Sequence, residues 1–262
     1  MWSNLIFRSM NHPFNRTRQL LLLAALPAAL LTAACGNNDD DTAPTPVPDQ
    51  GKLLLVHAAA ASNVQVTAFV NDQQVGQLNY GQNSAYLNVN TGTPTLRINN
   101  GSQTLTTQGL NIAKDQNYSS FAYSPSATIG ATPSLLTITD DLSAPASGQA
   151  KVRVVHLAVN APTPVRLTAP SAVPGVPGTD ISSDVAFGAA SNFFAINAGQ
   201  LNLGITAGTP RTTVLSVGDG TGTGTGVKNY EAGKIYTIVV RGIAGAGVPA
   251  AQQAQATIIQ NN

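Results

Sequence analysis

Lys52-Leu53-Leu54-Leu55-Val56-His57 comes back 99 residues later as Lys151-Val152-Arg153-Val154-Val155-His156. The echo continues in order along the chain. Tyr80-Gly81-Gln82-Asn83-Ser84-Ala85-Tyr86-Leu87-Asn88-Val89-Asn90-Thr91-Gly92 answers to Phe187-Gly188-Ala189-Ala190-Ser191-Asn192-Phe193-Phe194-Ala195-Ile196-Asn197-Ala198-Gly199 at an offset of 107. Ala113–Tyr118 answers to Glu231–Tyr236 at 118, and Thr137-Ile138 to Thr257-Ile258. An offset that only grows means one unit written twice, with longer loops the second time. The added length falls in Ser171–Asp184, rich in Pro and Gly, and around Gly218–Gly226. The chain thus predicts two tandem domains, 52–148 and 149–262.

Within each unit the pattern has period two. Val64-Gln65-Val66-Thr67-Ala68-Phe69-Val70 leads into Asn71-Asp72, and Gln74-Val75 lead out. That is a strand, a turn of residues that tolerate positive φ, and a return strand. Leu96–Asn99, Thr104–Thr106 and Ile235–Val240 read as further strands, and no stretch after the leader holds helical periodicity over three turns. Seven or so short strands in a unit of ~100 residues predict an all-β fold, two immunoglobulin-like β-sandwiches. Composition agrees. Of 262 residues only 10% are charged, 43% are apolar and 24 are Gly. Helical bundles draw on Glu, Lys and Leu, whereas this chain has one Glu. A formal charge of +1 leaves no electrostatic footprint for nucleic acid.

The leader reads as an address. Arg8, Arg16 and Arg18 precede the apolar run Leu20–Ala34, broken by Pro27, and then comes Cys35, the sole cysteine. A basic start, a short apolar run and small residues at its end match an export signal over 1–34, too short to span a bilayer. Leu31-Thr32-Ala33-Ala34-Cys35-Gly36 resembles the lipobox of bacterial lipoproteins, with Thr32 at the position that usually carries Leu. The resemblance implies that Cys35 is acylated, with fatty chains such as palmitate, and becomes the first mature residue. Without the three leader arginines the mature chain has 10 basic and 12 acidic residues, a formal −2. It also has no tryptophan, because Trp2 leaves with the leader. Residues 35–51, with Asp39-Asp40-Asp41 and Pro44, Pro46 and Pro48, read as a solvated, extended tether. An acidic run behind the lipid cysteine also resembles the surface-export signals of some bacterial lipoproteins.

Lys151–His156, Asn160-Ala161-Pro162, Val185-Ala186-Phe187-Gly188 and Ala232-Gly233-Lys234-Ile235-Tyr236-Thr237 together resemble the DUF4397 family of exported bacterial domains. The first unit has Ala60-Ala61-Ser62 and Lys114-Asp115-Gln116 at the corresponding places. The resemblance covers nearly all of 52–262 and implies a β-sandwich envelope protein with tandem copies. It brings no catalytic residues.

Candidate chemistry is sparse. His57 and His156 close equivalent strands; each unit supplies one, without a Cys or acidic neighbour at metal-ligand spacing, so they read as a structural strand-end pair. Ser84 and Ser191 recur outside any nucleophile elbow and without a nearby base. One Glu, Glu231, cannot make the carboxylate pair of a glycosidase. Asp140-Asp141 at the end of the first unit reads as solvated linker charge, or as oxygen ligands for Ca²⁺. Gly218–Gly226 lacks the Lys-Ser/Thr ending and the helix of a phosphate loop and reads as a hairpin tip. Tyr80/Phe187, Tyr86/Phe193 and Tyr118/Tyr236 recur as core packing or corner hydrogen bonds would require, with sugar stacking as the alternative. The expectation is a non-catalytic protein without cofactor or metal, anchored in the bilayer of the bacterial outer membrane through Cys35. It would bind a protein or polysaccharide through the Ser171–Asp184 and Gly218–Gly226 loops. A carbohydrate-binding accessory protein and an unrecognised hydrolase are the alternatives. Periplasmic or surface exposure is left open.

Overall fold

The apolar run that opens each repeat becomes a central strand with no face left free. The computed structural model describes residues 47–169, 171, 178–218 and 226–262. The first half holds β1 (Gln50–Ala58), β2 (Val66–Val70), β3 (Gln73–Leu78), β4 (Leu87–Asn90), β5 (Thr95–Asn100), β6 (Gln103–Gly109), β7 (Asn117–Tyr123) and β8 (Ser134–Asp140). These make two sheets in the orders β4-β1-β7-β8 and β3-β2-β5-β6. The second half holds β9 (Gln149–Val159), β10 (Val165–Ala169), β11 (Thr179–Asp180), β12 (Ala189–Ala190), β13 (Phe194–Asn197), β14 (Gly199–Asn202), β15 (Gly204–Ala207), β16 (Thr212–Ser216), β17 (Val227–Tyr230), β18 (Ile235–Ile243) and β19 (Gln255–Gln260). Its sheets run β12-β9-β18-β19, with β13 also on β9, and β11-β10-β15-β16; β14 pairs with β17. The strand order of the first half therefore recurs in the second.

The fold is all-β, as expected, and the turn at Asn71-Asp72 has φ of 47° and 64°. The described residues include only two single 3₁₀ turns, Ala60–Ser62 and Ala250–Gln252. None of their helices is long and apolar enough to cross a membrane. One feature of the wiring is particular. β1 lies mid-sheet and parallel to β7, and β9 lies likewise beside β18, whereas the constant-type immunoglobulin order groups the first strand with the second, fifth and fourth.

Side chains alternate across a strand, so β1 sorts its residues between two cores. Leu53 and Leu55 pack with Val66, Leu96 and Ile98 inside the first sandwich. Leu54, Val56 and Ala58 face the other way and pack with Phe121 against Val155, Leu157, Val239 and Ile259 of the second half. In β9, Val152 and Val154 turn inward toward Leu167 and Ile205. Burial on both faces is why these two runs are nearly continuous in apolar residues instead of alternating. The β1 and β9 sheets thus meet back to back, and residues 46–262 form one compact unit.

A polar cluster is sealed into this seam. Arg153 Nη2 lies 2.6 Å from Asp140 Oδ1, with the two side chains 2% and 0% exposed. Ser119 Oγ and the Tyr86 hydroxyl both donate to Asp140 Oδ2, at 2.6 and 2.5 Å. Arg153 Nε donates to Thr237 Oγ1 at 2.9 Å, and Thr237 donates in turn to Asn261 Oδ1 at 2.8 Å. Asn261 Nδ2 closes the circuit on the Tyr86 hydroxyl at 3.1 Å. Burial and the neighbouring Asp140 carboxylate both raise the Tyr86 pKa, so the phenol stays protonated and donates.

Two sequence expectations are corrected here. Asp140 is not solvated linker charge; it is buried and paired, and only Asp141 reaches the surface, where it meets Lys151 Nζ at 2.9 Å. The repeat also shifts by one residue in its last strand. Tyr118 lies opposite Thr139, and its counterpart Tyr236 lies opposite Gln260. Asp140 therefore corresponds to Asn261, and Ile138 to Ile259, which keeps both isoleucines in the seam. A slip of one would have put them on opposite faces.

Removing one partner of a buried ion pair strands the other charge. Arg153→Met should cost about 3–5 kcal/mol in urea unfolding at pH 7. Adding Asp140→Asn, the residue the second half already uses, should recover most of that loss.

Candidate functional site

Each recurring polar residue occupies a place where the backbone ladder or the packing needs it. β4 pairs with β1 only from Gln50 to Leu53. Beyond that, Ser84 takes over: Leu55 N–H donates to its Oγ at 2.9 Å, and the Oγ donates to Ala85 O at 2.6 Å. Ser191 does the same in the break between β12 and β13. Val154 N–H donates to its Oγ at 3.0 Å, and that Oγ donates to Asn192 O at 2.8 Å. Both hydroxyls are engaged as backbone brackets, with no base against them. Tyr118 and Tyr236 make the expected corner bonds, accepting from Ala113 N–H and Glu231 N–H, each at 3.1 Å.

The histidines sit inside their own sandwiches and are not brought together. His57 Nε2 donates to the Val64 carbonyl at 2.9 Å, and Nδ1 accepts from Ala59 N–H at 3.3 Å. The ring meets Tyr80 edge-on, with centroids 5.9 Å apart. His156 meets Phe187 in the same way at 5.8 Å, but neither of its ring nitrogens has a hydrogen-bond partner. Burial lowers both pKa values. For His57 the Val64 carbonyl opposes this shift, while His156, with the Pro162 carbonyl near but outside hydrogen-bond geometry, falls to about 4. Both rings are therefore neutral at pH 7. Among the described residues, no group of three His, Cys, Asp or Glu side chains could hold a metal.

At this end of the strands the two halves trade contacts. Tyr123 of β7 packs edge-on to Phe187 at 5.8 Å, and its counterpart Arg241 of β18 lies 4.6 Å over the Tyr80 ring. Gly81 and Gly188, at φ of 87° and 75°, let these side chains in. A Cβ on Gly81 would lie 2.8 Å from Arg241 Nη2, and one on Gly188 would lie 3.4 Å from the Tyr123 hydroxyl. Arg241 was missed in the sequence. Its Nε and Nη1 are buried without a hydrogen-bond partner, and the Tyr80 ring face is the contact that takes its charge.

The surface offers a different kind of feature. Two hollows lie along edge strand β3 on the open side of the first sandwich, one against residues 81–84 and the other against β4. One, of about 530 Å³, is lined by Gln77, Gln82, Asn83 and Ser84 together with Gly76 and Gly81. The other, of about 440 Å³, is lined by Gln50, Asn71, Gln73, Asn88 and Asn90 over an apolar floor of Val70, Val75 and Val89. No charged side chain lines either one. The loops that sequence reasoning favoured are only partly in view, since residues 172–177 and 219–225 lie outside the described residues. Besides Ser171, what is described of Ser171–Asp184 is its closing end. There Arg166 meets Asp180 and Asp184, each at 2.5 Å, and Arg211 meets Asp180 at 2.6 Å.

Residues 51–164 match the DUF4397 family, described as a domain of unknown function. The match takes in the first sandwich and continues through β9 to Pro164. No curated protein matches the chain.

Two predictions follow from the buried groups. Below the ordinary histidine pKa of 6.5 the unfolded chain binds a proton that folded His156 refuses until about pH 4. Stability is therefore fully present above 6.5. It should fall by on the order of 1 kcal/mol per pH unit between those limits, and His156→Leu should flatten the slope in pH-dependent urea titrations. Ser84→Ala and Ser191→Ala should each cost about 1–2 kcal/mol, because each leaves a strand N–H without its acceptor.

Proposed function

We propose that the chain is a lipid-anchored, non-catalytic cell-envelope protein that presents two copies of the family's sandwich to a partner. Residues 1–34 direct export, Cys35 carries the acyl chains, and 35–51 form the tether. These segments lie outside the described residues, apart from the end of the tether. Several acyl chains on one residue would hold firmly where a single chain holds only marginally. The outer membrane is the site of anchoring, and the compact body from residue 46 onward stands off from it on the tether.

The observation that carries this reading is the sole cysteine placed directly behind a short apolar run. A lone exported cysteine has no internal disulfide partner, so a role outside the fold is what remains for it. Extension of the family beyond Pro164 is supported by the matched strand order and by the recurring Ser and Tyr bonds of the second half. A binding role is supported by how the chemically capable side chains are used. Both serines and His57 are held in backbone bonds and His156 is packed on Phe187, while an open cleft is left on the surface.

Intact-mass analysis of the membrane-fraction protein should give a chain starting at Cys35 with the added mass of its acyl groups. Protease treatment of live cells then reports the leaflet: digestion places the body outside, survival places it in the periplasm. A soluble pool with unmodified Cys35 would remove the anchor from the proposal.

A further inference from the structure

Folding accounts for the composition of the hollows along β3 only in part: Gln82 Oε1 accepts from Asn79 N–H and Asn83 Nδ2 donates to the Ser84 carbonyl, each at 2.9 Å, whereas Asn88 has no such task among the described residues. The two halves share strand order, and at the equivalent stretch they share the bracket serine, the positive-φ glycine and the inward apolar positions. They differ in the amides. Gln82, Asn83 and Asn88 of the first half stand where the second has Ala189, Ala190 and Ala195. The second half serves as an internal control, and it builds the same strand pairing with alanine. Asn is also a poor strand former, yet β4 is Leu87-Asn88-Val89-Asn90. A sequence that works against its local structure points to a site.

The amides retain unused hydrogen-bonding capacity. Among the described residues, Gln73 and Asn88 make no side-chain hydrogen bond. Gln50 Nε2 donates to Asn90 Oδ1 at 3.0 Å, leaving Gln50 Oε1 and Asn90 Nδ2 over. Asn71 Oδ1 accepts from Thr95 N–H, leaving its Nδ2. Two of the charges flanking the cleft have partners, while Lys52, opposite Asn88 in the strand register, is exposed and has no ion pair among the described residues. Asp72 pairs with Arg97 at 2.7 Å, and Asp49 pairs with Lys114 at 2.8 Å. The cleft therefore offers donors and acceptors over a valine floor, with no charged side chain in its lining.

From this we infer that the β3–β4 cleft of the first half binds a neutral, hydroxyl-rich chain, an uncharged glycan. The inference rests on the binding role proposed above and gives it a ligand class. An amide presents both a donor and an acceptor, which is what a sugar hydroxyl requires of its partner. A charged polymer would lose hydration on entering and meet no opposite charge in the lining, with Lys52 alone unpaired at the rim among the described residues. An extended peptide docked on the β3 edge would need pockets for alternate side chains, and the floor is a shallow row of valines. Each hollow falls within the usual ligand-site range of about 300–1,000 Å³. Gln73 and Val75 border one and Gly76 to Leu78 the other, so successive sugar units would follow β3.

The test is affinity electrophoresis and calorimetry of the full chain in detergent. The probes are dextran, mannan, laminarin and chitohexaose, with heparin and polygalacturonate as charged controls and an extended Thr/Val peptide as the edge-pairing control. At least one neutral glycan should bind, and Gln73→Ala with Asn88→Ala should weaken it about tenfold or more, since several hydrogen bonds are lost together. Gly76→Leu, whose side chain would enter the hollow where a Cβ meets nothing within 4 Å, should also weaken it. Asn197→Ala, at the equivalent of Asn90 in the second half, should leave binding unchanged, and thermal unfolding checks that each variant is folded. Binding to none of the neutral glycans would overturn the inference. So would preference for a charged polymer or the peptide, or binding indifferent to the cleft variants. The assay does not depend on acylation, so such a result leaves the anchoring proposal standing, and an unmodified Cys35 leaves this one standing.

Discussion

The contact between Arg153 and Asp140 is the constraint around which the two halves are organised. A buried ion pair adds little net stability, because desolvation takes back most of the Coulomb attraction. What it does is penalise every arrangement that separates the partners. Any sliding of the β1 sheet over the β9 sheet would leave a guanidinium and a carboxylate uncompensated in an apolar seam. Leu54, Val56, Val155 and Val239 would tolerate many registers on burial grounds alone. The charges select one.

The seam also shows how a duplicated unit becomes a single body. Its contacts are reciprocal, as in a two-fold interface where the same patch is used twice. Ser119 bonds Asp140 while Thr237 bonds Asn261, and Tyr123 packs on Phe187 while Arg241 packs on Tyr80. At the centre identical residues would have clashed or repelled. Leu54 in one half is Arg153 in the other, Tyr86 is Phe193, and Asp140 is Asn261. Each difference gives the cluster something that symmetry would deny it: one cation, one anion, one hydroxyl to share between them and one ring for the guanidinium to cover.

Much of this architecture was legible. Period-two alternation placed β2, β3, β5 and β6, and Asn71-Asp72 marked a hairpin turn because few other residues accept positive φ. The recurring Ser84/Ser191 and Tyr118/Tyr236 were visible as pairs, although only the geometry shows what they bond. The seam was not legible, for a physical reason. A run such as Leu53-Leu54-Leu55-Val56 shows that a strand is buried on both faces but does not name the second neighbour. Arg153 inside such a run was the available clue, since a cation there demands an anion, and Asp140 lies thirteen residues before it in sequence. The cleft was harder to find. Amides in short strands resemble loop composition, and they stand out only against the alanines at the same positions in the second half.

That contrast suggests how the two halves divide their work. Residues fixed by the fold must recur, since both halves solve the same packing problem; residues free of the fold can diverge. The seam diverged toward complementarity, and the β3–β4 edge diverged toward amides in one half and alanine in the other. β11, the counterpart of β3, spans only two residues and lies within the longer Ser171–Asp184 segment, whose Asp180 and Asp184 are held by Arg166 and Arg211. The second half thus shortens the edge that the first half leaves open. A rigid seam then has a functional consequence. Because residues 46–262 form one compact unit, a ligand bound at the first half's edge, as inferred above, would sit at a fixed orientation to the β9 sheet of the second half.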